Sequence, residues 1–200
     1  MGIFGNRQQK NGGFTIVELI VVVVVIGILV SIVALVYPGY QKRTRDSERK
    51  SDVSQIAASL SAYALQKNTY ITSGSGCGLS GNGNGWLNVG PTAQYPKSIS
   101  TCLQDAGVLA SGIFSDPSGC VSDTGGVCGT SGGVSVPAYM KVTCQKSSKS
   151  VTYVLAYLEL SPSKDAEVDG LCDSGTVDGF SSVTQKWGTN YGMNYYVLVK

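Results

Sequence analysis

The sequence predicts an α+β chain. A long N-terminal α-helix, membrane-spanning in its first half and amphipathic in its second, packs on a C-terminal antiparallel β-sheet with disulfide-containing loops. Three observations predict it. Residues 14–36 hold only three polar side chains, Thr15, Glu18 and Ser31. Val53, Ile56, Ala57, Leu60 and Ala64 recur at three- and four-residue steps, giving one apolar stripe. Two β-patterned runs, AYMKVTCQK (138–146) and VTYVLAYLEL (151–160), flank SSKS (147–150), consistent with a hairpin.

Composition narrows the function before any motif is read. With 15 Lys+Arg against 13 Asp+Glu, the net charge of +2 gives no strong pull toward nucleic acid. At 42% apolar, the chain is too hydrophobic to stay disordered. It contains no histidine, which removes Ser-His-Asp triads, Cys-His pairs and His-ligated metals. The chain is therefore read as not an enzyme. The six cysteines, Cys77, Cys102, Cys120, Cys128, Cys144 and Cys172, include no Cys-x-x-Cys pair. In a glycine-rich region they read as disulfides formed in an oxidising compartment, with their pairing left open.

The apolar run is long enough to cross a bilayer. Its 23 residues span about 35 Å as a helix, against a hydrocarbon core of about 30 Å. Arg7 and Lys10 precede it, with no acid before Glu18. A secretory signal peptide would have an apolar stretch of only about 7–15 residues followed by a small-residue cleavage site. Here the small residues, Gly12 and Gly13, come before the run. Glu18 lies inside it, where a carboxylate costs about 3 kcal/mol at the helix centre and less near an end.

The segment GGFTIVELIVVVVVIGIL resembles the N-terminus of type IV pilins and pseudopilins. The resemblance implies that a prepilin peptidase cuts between Gly13 and Phe14, that Phe14 is then N-methylated, and that Glu18 is the signature assembly acid. Gly27 and Pro38-Gly39-Tyr40-Gln41 extend the match, with the proline nearly one helical turn later than is usual. The expected organisation is a leader (1–13), a transmembrane and assembly helix (14–37), an amphipathic helix (38–70) and an extracytoplasmic β-rich globular domain (71–200).

Glu18 has a physical role independent of the family. Cleavage would create an α-amine of pKa about 7.7–8.0, protonated at neutral pH, and Glu18 lies about 6 Å along the helix from it. Axially offset neighbours would pair Glu18 with that amine, neutralising two charges inside an apolar bundle. The alternative is that Glu18 complements its own helix N-terminus, worth roughly 0.3–1 kcal/mol.

After the run come five bases, Lys42, Arg43, Arg45, Arg49 and Lys50, against two in the leader. A simple count of positive charge would put this side in the cytoplasm; the leader motif and the cysteines favour the outside. The bases read as a solvated helix face, with Asp46 four residues ahead of Lys50 in the favourable order for an ion pair. One helix is expected from about residue 14 to residue 66, with Pro38 as its site of bending.

Residues 73–90 read as a Gly/Ser/Asn loop; no lysine at Walker spacing and no preceding strand supports phosphate binding. Residues 97–110 read as a short helix. In 151–160, Thr152, Val154, Ala156, Leu158 and Leu160 are the expected helix-facing set. Val151, Tyr153, Leu155, Tyr157 and Glu159 take the other face, and NYYVLVK (194–200) is a C-terminal strand. Asp165, Glu167, Asp169 and Gly170 have the spacing that opens a calcium loop, but Thr176 replaces the closing acid, for which Asp173 or Asp178 could substitute. Some pseudopilins bind calcium in a C-terminal loop. Calcium is weighed against a solvated acidic loop in non-helical surroundings, and no other cofactor is expected.

The resemblance implies a structural subunit of a type IV pilus-like filament, stored in the cytoplasmic membrane with its C-terminal domain outside. Expected partners are copies of itself and other pilins, the prepilin peptidase/methylase, an inner-membrane assembly platform and membrane lipid; DNA binding is not indicated. The competing readings are a pseudopilin of a type II secretion or DNA-uptake machine, and a non-polymerising single-pass binding module.

Overall fold

The computed structural model describes residues 13–110, 114, 116–117, 130–131, 134–135, 139–173, 177 and 186–200. The chain forms two compact units, Met1–Gln41 and Lys42–Lys200. Helix α1, Ile16–Lys67, contributes to both. It runs through Pro38, whose ring cannot donate the backbone bond that the Ala34 carbonyl would otherwise receive. Asn68, at φ 51°, follows its last turn in the left-handed conformation, which asparagine tolerates well.

In the first unit, the described residues 13–41 are all exposed, from Phe14 at 88% to Val25 at 49% among the large apolar side chains. Among the described residues, α1 is the one helix long and apolar enough to cross a membrane. So large an exposed apolar surface requires lipid or protein around it.

The second unit is organised by a four-stranded antiparallel sheet in the order β1-β4-β5-β6. Its chain order runs β1 (Gly85–Trp86), α2 (Ile99–Asp105), β2 (Thr130–Ser131), β3 (Val134–Ser135), β4 (Tyr139–Lys146), β5 (Lys149–Ala156), α3 (Asp165–Asp169), α4 (Trp187–Tyr191) and β6 (Tyr195–Leu198). Strands β2 and β3 pair separately. The predicted hairpin is present, but its turn is tighter than SSKS. Lys146 pairs with Lys149, leaving Ser147 and Ser148 at φ 51° and 65°. Two positive φ angles in a two-residue loop match the twist of the flanking strands.

Both sheet faces are covered. On one, Val154, Ala156 and Tyr139 join Val53, Ile56, Ala57 and Leu60 of α1 in a buried cluster with Ile99 and Leu103 of α2. Of the predicted helix-facing set Thr152, Val154, Ala156, Leu158 and Leu160, Val154 and Ala156 stand in this cluster, whereas Leu160 is 49% exposed. On the other face, Met140, Val142, Tyr153 and Leu155 pack with Val168, Leu171, Trp187 and Met193.

Three expectations are corrected. Strand β5 ends at Ala156 rather than residue 160, because side chains replace the ladder: Asn194 Oδ1 accepts from Leu158 N at 2.7 Å, and Asp46 accepts from Glu159 N and Leu160 N at 2.8 and 2.9 Å. The segment carrying Asp165, Glu167 and Asp169 is helical, since Val168, its fourth residue, is fully buried against the sheet. The glycine-rich loop contains a strand, β1, held at the sheet edge by pairing with Lys141 and Met140.

Candidate functional site

The N-terminal segment presents its chemistry in the open. A Cβ added to Gly13 would meet nothing within 4 Å, so neighbouring atoms give no reason for glycine there. The same holds for Gly27 and Gly39 inside α1, although each glycine in a helix interior costs about 1 kcal/mol relative to alanine. Phe14, the next residue, is 88% exposed. Glu18 then closes a capping box. Its Oε2 accepts from Thr15 N and Thr15 Oγ1, both at 2.8 Å, while Glu18 N donates to Thr15 Oγ1 at 3.2 Å. In the isolated chain Glu18 thus serves its own helix start, and Thr-x-x-Glu was a readable signal for it.

The basic flank behaves differently from the solvated face that was expected. Lys42, Arg43 and Lys50 are exposed, but Arg49 is 4% exposed and buried in an ion cluster. Its Nε and Nη2 donate to the two oxygens of Asp116 at 2.7 and 2.9 Å; its Nη1 reaches Asp46 at 3.2 Å and Glu159 at 3.1 Å. Arg45 holds Glu159 with two bonds, at 2.6 and 2.8 Å. Burial disfavours the Arg49 charge, but the bonds to Asp116 and Glu159 more than offset it and leave its pKa above the ordinary value. The Arg45 bonds hold Glu159 below the usual carboxylate range. Asp46 turns to Arg49 and the backbone of residues 159–160, not to Lys50. Lys50 instead lies 5.8 Å from the centre of the Tyr195 ring. Below the cluster, the Tyr139 hydroxyl donates to Asp52, and burial raises the pKa of both groups.

Two cysteine pairs are disulfides: Cys77–Cys102, with Cα atoms 6.4 Å apart, and Cys144–Cys172, at 5.7 Å. The first ties the glycine-rich loop to α2, the second ties β4 to the segment after α3. Cys120 and Cys128 lie outside the described residues.

The acidic trio does not converge. Asp165 accepts from Ser163 Oγ, Glu167 accepts from Lys164 and the Tyr196 hydroxyl, and Asp169 accepts from Gly188 N at 2.7 Å. Asp173 accepts from Ser147 N at 2.8 Å, and Asp178 lies outside the described residues. Among the described residues, no three acidic or thiol side chains gather as metal ligands.

Comparison with known proteins adds to this geometry. A family model, the prokaryotic N-terminal methylation motif, matches residues 8–34. The type II secretion system core protein G of Aeromonas hydrophila is 31% identical over 70 residues, 35% of this chain and 49% of that protein. The core protein G of Dickeya chrysanthemi is 30% identical over 71 residues, 36% of this chain and 46% of that protein. The type IV major pilin protein PilA of Myxococcus xanthus is 32% identical over 63 residues, 32% of this chain and 29% of that protein. The chain thus spans half or less of the length of these relatives. No solved structure matches it.

Proposed function

We propose that this chain, which carries the N-terminal methylation motif and is similar to pilins and pseudopilins over a third of its length, is the structural subunit of a type IV pilus-like filament. The observation that carries this reading is the exposed Gly13-Phe14 bond standing directly before the apolar first part of α1, in which every residue up to Gln41 is exposed. Cleavage there by a prepilin peptidase and methylation of the new amine produce a chain that begins at Phe14. The same apolar surface suits lipid before assembly and neighbouring helices afterwards, so extraction loses little burial. Cleavage also leaves Thr15 and Glu18 intact, and Glu18 exchanges its intrachain cap for the amine of an adjacent copy. The role is structural, and the partners are copies of the chain and other pilins, the peptidase/methylase and an inner-membrane assembly platform. The disulfides support a C-terminal unit outside the cytoplasm.

Mass spectrometry of the chain from native cells tests this: the expected N-terminus is N-methyl-Phe14, and a chain that keeps its leader overturns the reading in favour of a non-polymerising anchor. Glu18→Ala is expected to abolish filament yield while leaving the C-terminal unit folded. The similarity to type II secretion core protein G supports a second reading, a pseudopilin with the same processing. Electron microscopy of the cell surface separates the two, since a pseudopilin builds no long extracellular fibre at native expression.

A further inference from the structure

Lys42, Arg43 and Lys50 are the bases of the flank that the ion cluster does not absorb, and two of them share a pocket. Arg43, Ser47 and Lys50 follow one another at four- and three-residue steps, so they stand on one face of α1. With Leu158, Leu160 and Ser161 they line a pocket of about 280 Å³. Arg43 and Lys50 are exposed, and neither is in an ion pair among the described residues. The Tyr195 ring, 5.8 Å from Lys50 Nζ, attracts that ammonium without neutralising it.

Among the described residues, Asp46 is the one acid lining this pocket, and both its oxygens are taken. Its Oδ1 accepts from Arg49 and from Glu159 N, and its Oδ2 accepts from Leu160 N. The cluster to which it belongs joins two arginines to three acids, which leaves a single negative charge against Arg43 and Lys50. The pocket is therefore net positive. Its remaining lining is two hydroxyls, which both donate and accept, and two leucines, of which Leu160 is 49% exposed. An anion that carries hydroxyls and an apolar part matches all three features.

The chain brings such an anion within reach. Arg43 follows Val36, the end of the apolar run, by seven residues, about 10 Å at the rise of a helix. An arginine side chain leans back over the turn before its own Cα, and the headgroup layer extends about 5–8 Å beyond the hydrocarbon core on each side. Tyr37 and Tyr40, 57% and 68% exposed, occupy the turn between, and tyrosine is enriched at that interface. We propose that this pocket binds the headgroup of an anionic phospholipid. Its phosphate takes the forked guanidinium of Arg43, and its headgroup hydroxyls reach Ser47, Ser161 and Lys50. The inference rests on the membrane-spanning reading of residues 14–36 and not on filament assembly.

The test titrates the full chain in neutral detergent with dioleoyl phosphatidylglycerol and with dioleoyl phosphatidylcholine, counting bound lipid by native mass spectrometry. A base near an anionic surface contributes about fivefold, so phosphatidylglycerol is expected to bind at least about fivefold tighter than the zwitterionic lipid. Arg43→Gln is expected to lose about fivefold, and its double variant with Lys50→Gln about 25-fold. Both side chains are exposed, so the unfolding midpoint stays unchanged. Lys42→Gln, outside the pocket, is expected to lose less than about twofold; a loss equal to that of Arg43→Gln marks diffuse attraction to the flank and overturns the site. Phosphatidylcholine binding as tight as phosphatidylglycerol overturns it too. So does displacement of the lipid by millimolar inorganic phosphate, which would assign the pocket to a free phosphate. Self-association without lipid preference that Arg43→Gln abolishes would assign it to an acidic face of a second copy, again against the proposal. Insertion into phosphatidylcholine nanodiscs tests the span by itself: a chain that inserts but shows no lipid preference sinks this inference alone, and one that fails to insert sinks both.

Discussion

Replacing Arg49 with methionine is expected to be among the most destabilising single changes in the second unit. The substitution keeps the aliphatic stem packed on α1 but withdraws four charge-assisted bonds. The three acids do not suffer equally. Glu159 keeps both bonds from Arg45, and Asp46 keeps the amides of Glu159 and Leu160. Asp116, whose side chain is 3% exposed, loses its two-pronged partner while buried. Removing one partner of a buried ion pair costs about 3–5 kcal/mol, chiefly because the remaining charge is stranded. With a urea slope of about 2 kcal/mol/M, the unfolding midpoint drops by about 2 M. Trp86 and Trp187 both lie in the second unit, so tryptophan fluorescence of the full chain in detergent follows that unit alone. The double substitution Arg49→Met with Asp116→Leu removes the buried carboxylate that has lost its arginine and is expected to recover most of the loss. A single-variant loss below about 1 kcal/mol, or a double variant no better than the single, refutes the reasoning.

The remaining predictions concern the crosslinks, the buried lysine and the acidic helix. Each disulfide closes a loop of similar length, 25 and 28 residues in separation, so Cys77→Ser with Cys102→Ser, and Cys144→Ser with Cys172→Ser, should each cost about 3.5 kcal/mol by urea unfolding. Lys141 is depressed to about 7 in the folded state and titrates near 10.4 when unfolded. The unfolded chain then binds the extra proton across this window, so stability rises with pH from about 7 toward 10 and is flat below; Lys141→Met should remove that slope. Glu159 has the opposite partner but the same sign: held low by Arg45, it adds stability above about pH 4.3 that is lost as pH falls through its folded value. Millimolar calcium should leave the melting temperature unchanged, because Asp165, Glu167 and Asp169 already serve separate protein partners; a clear rise would favour the calcium-loop reading.

Patterns confined to one element were legible. The apolar run, the stripe Val53, Ile56, Ala57 and Leu60, and the two faces of β5 are periodicities of a single helix or strand, and they survive in the fold. What escaped depends on partners distant in sequence. Arg49 and Asp46 looked like surface charges because Asp116 and Glu159 lie 67 to 113 residues away. Yet they stand on the same stripe, at the three- and four-residue steps that lead to Val53, and extending that phase toward the N-terminus would have flagged them as buried. The acidic run 165–169 looked like a loop because its carboxylates dominate its character; one buried Val168 is enough to fix it as a helical turn. The end of β5 was hidden because Leu158, Glu159 and Leu160 continue the strand's alternation, while Asp46 and Asn194, distant in sequence, divert their amides.

The ion cluster also bears on topology. By simple count, five bases after the apolar run against two before it argue for a cytoplasmic C-terminal side. Burial of Arg49 and pairing of Arg45 in the folded unit do not answer this, because orientation is set before folding. The answer is in the reach of the charge rule. Charge bias governs short loops of up to about 60 residues, whereas long domains translocate largely regardless of it, and residues 42–200 form one long compact unit. The cysteines then weigh more than the flank. Cys77–Cys102 and Cys144–Cys172 join segments that no single element holds together, and thiols kept reduced would leave the glycine-rich loop and the segment after α3 without those ties. A unit built on such crosslinks is suited to the oxidising side of the membrane. On the proposed topology Arg45 and Arg49 pair with Glu159, Asp46 and Asp116 once folding begins, Arg49 is buried, Arg45 is half-buried, and Lys42, Arg43 and Lys50 remain fully on the surface.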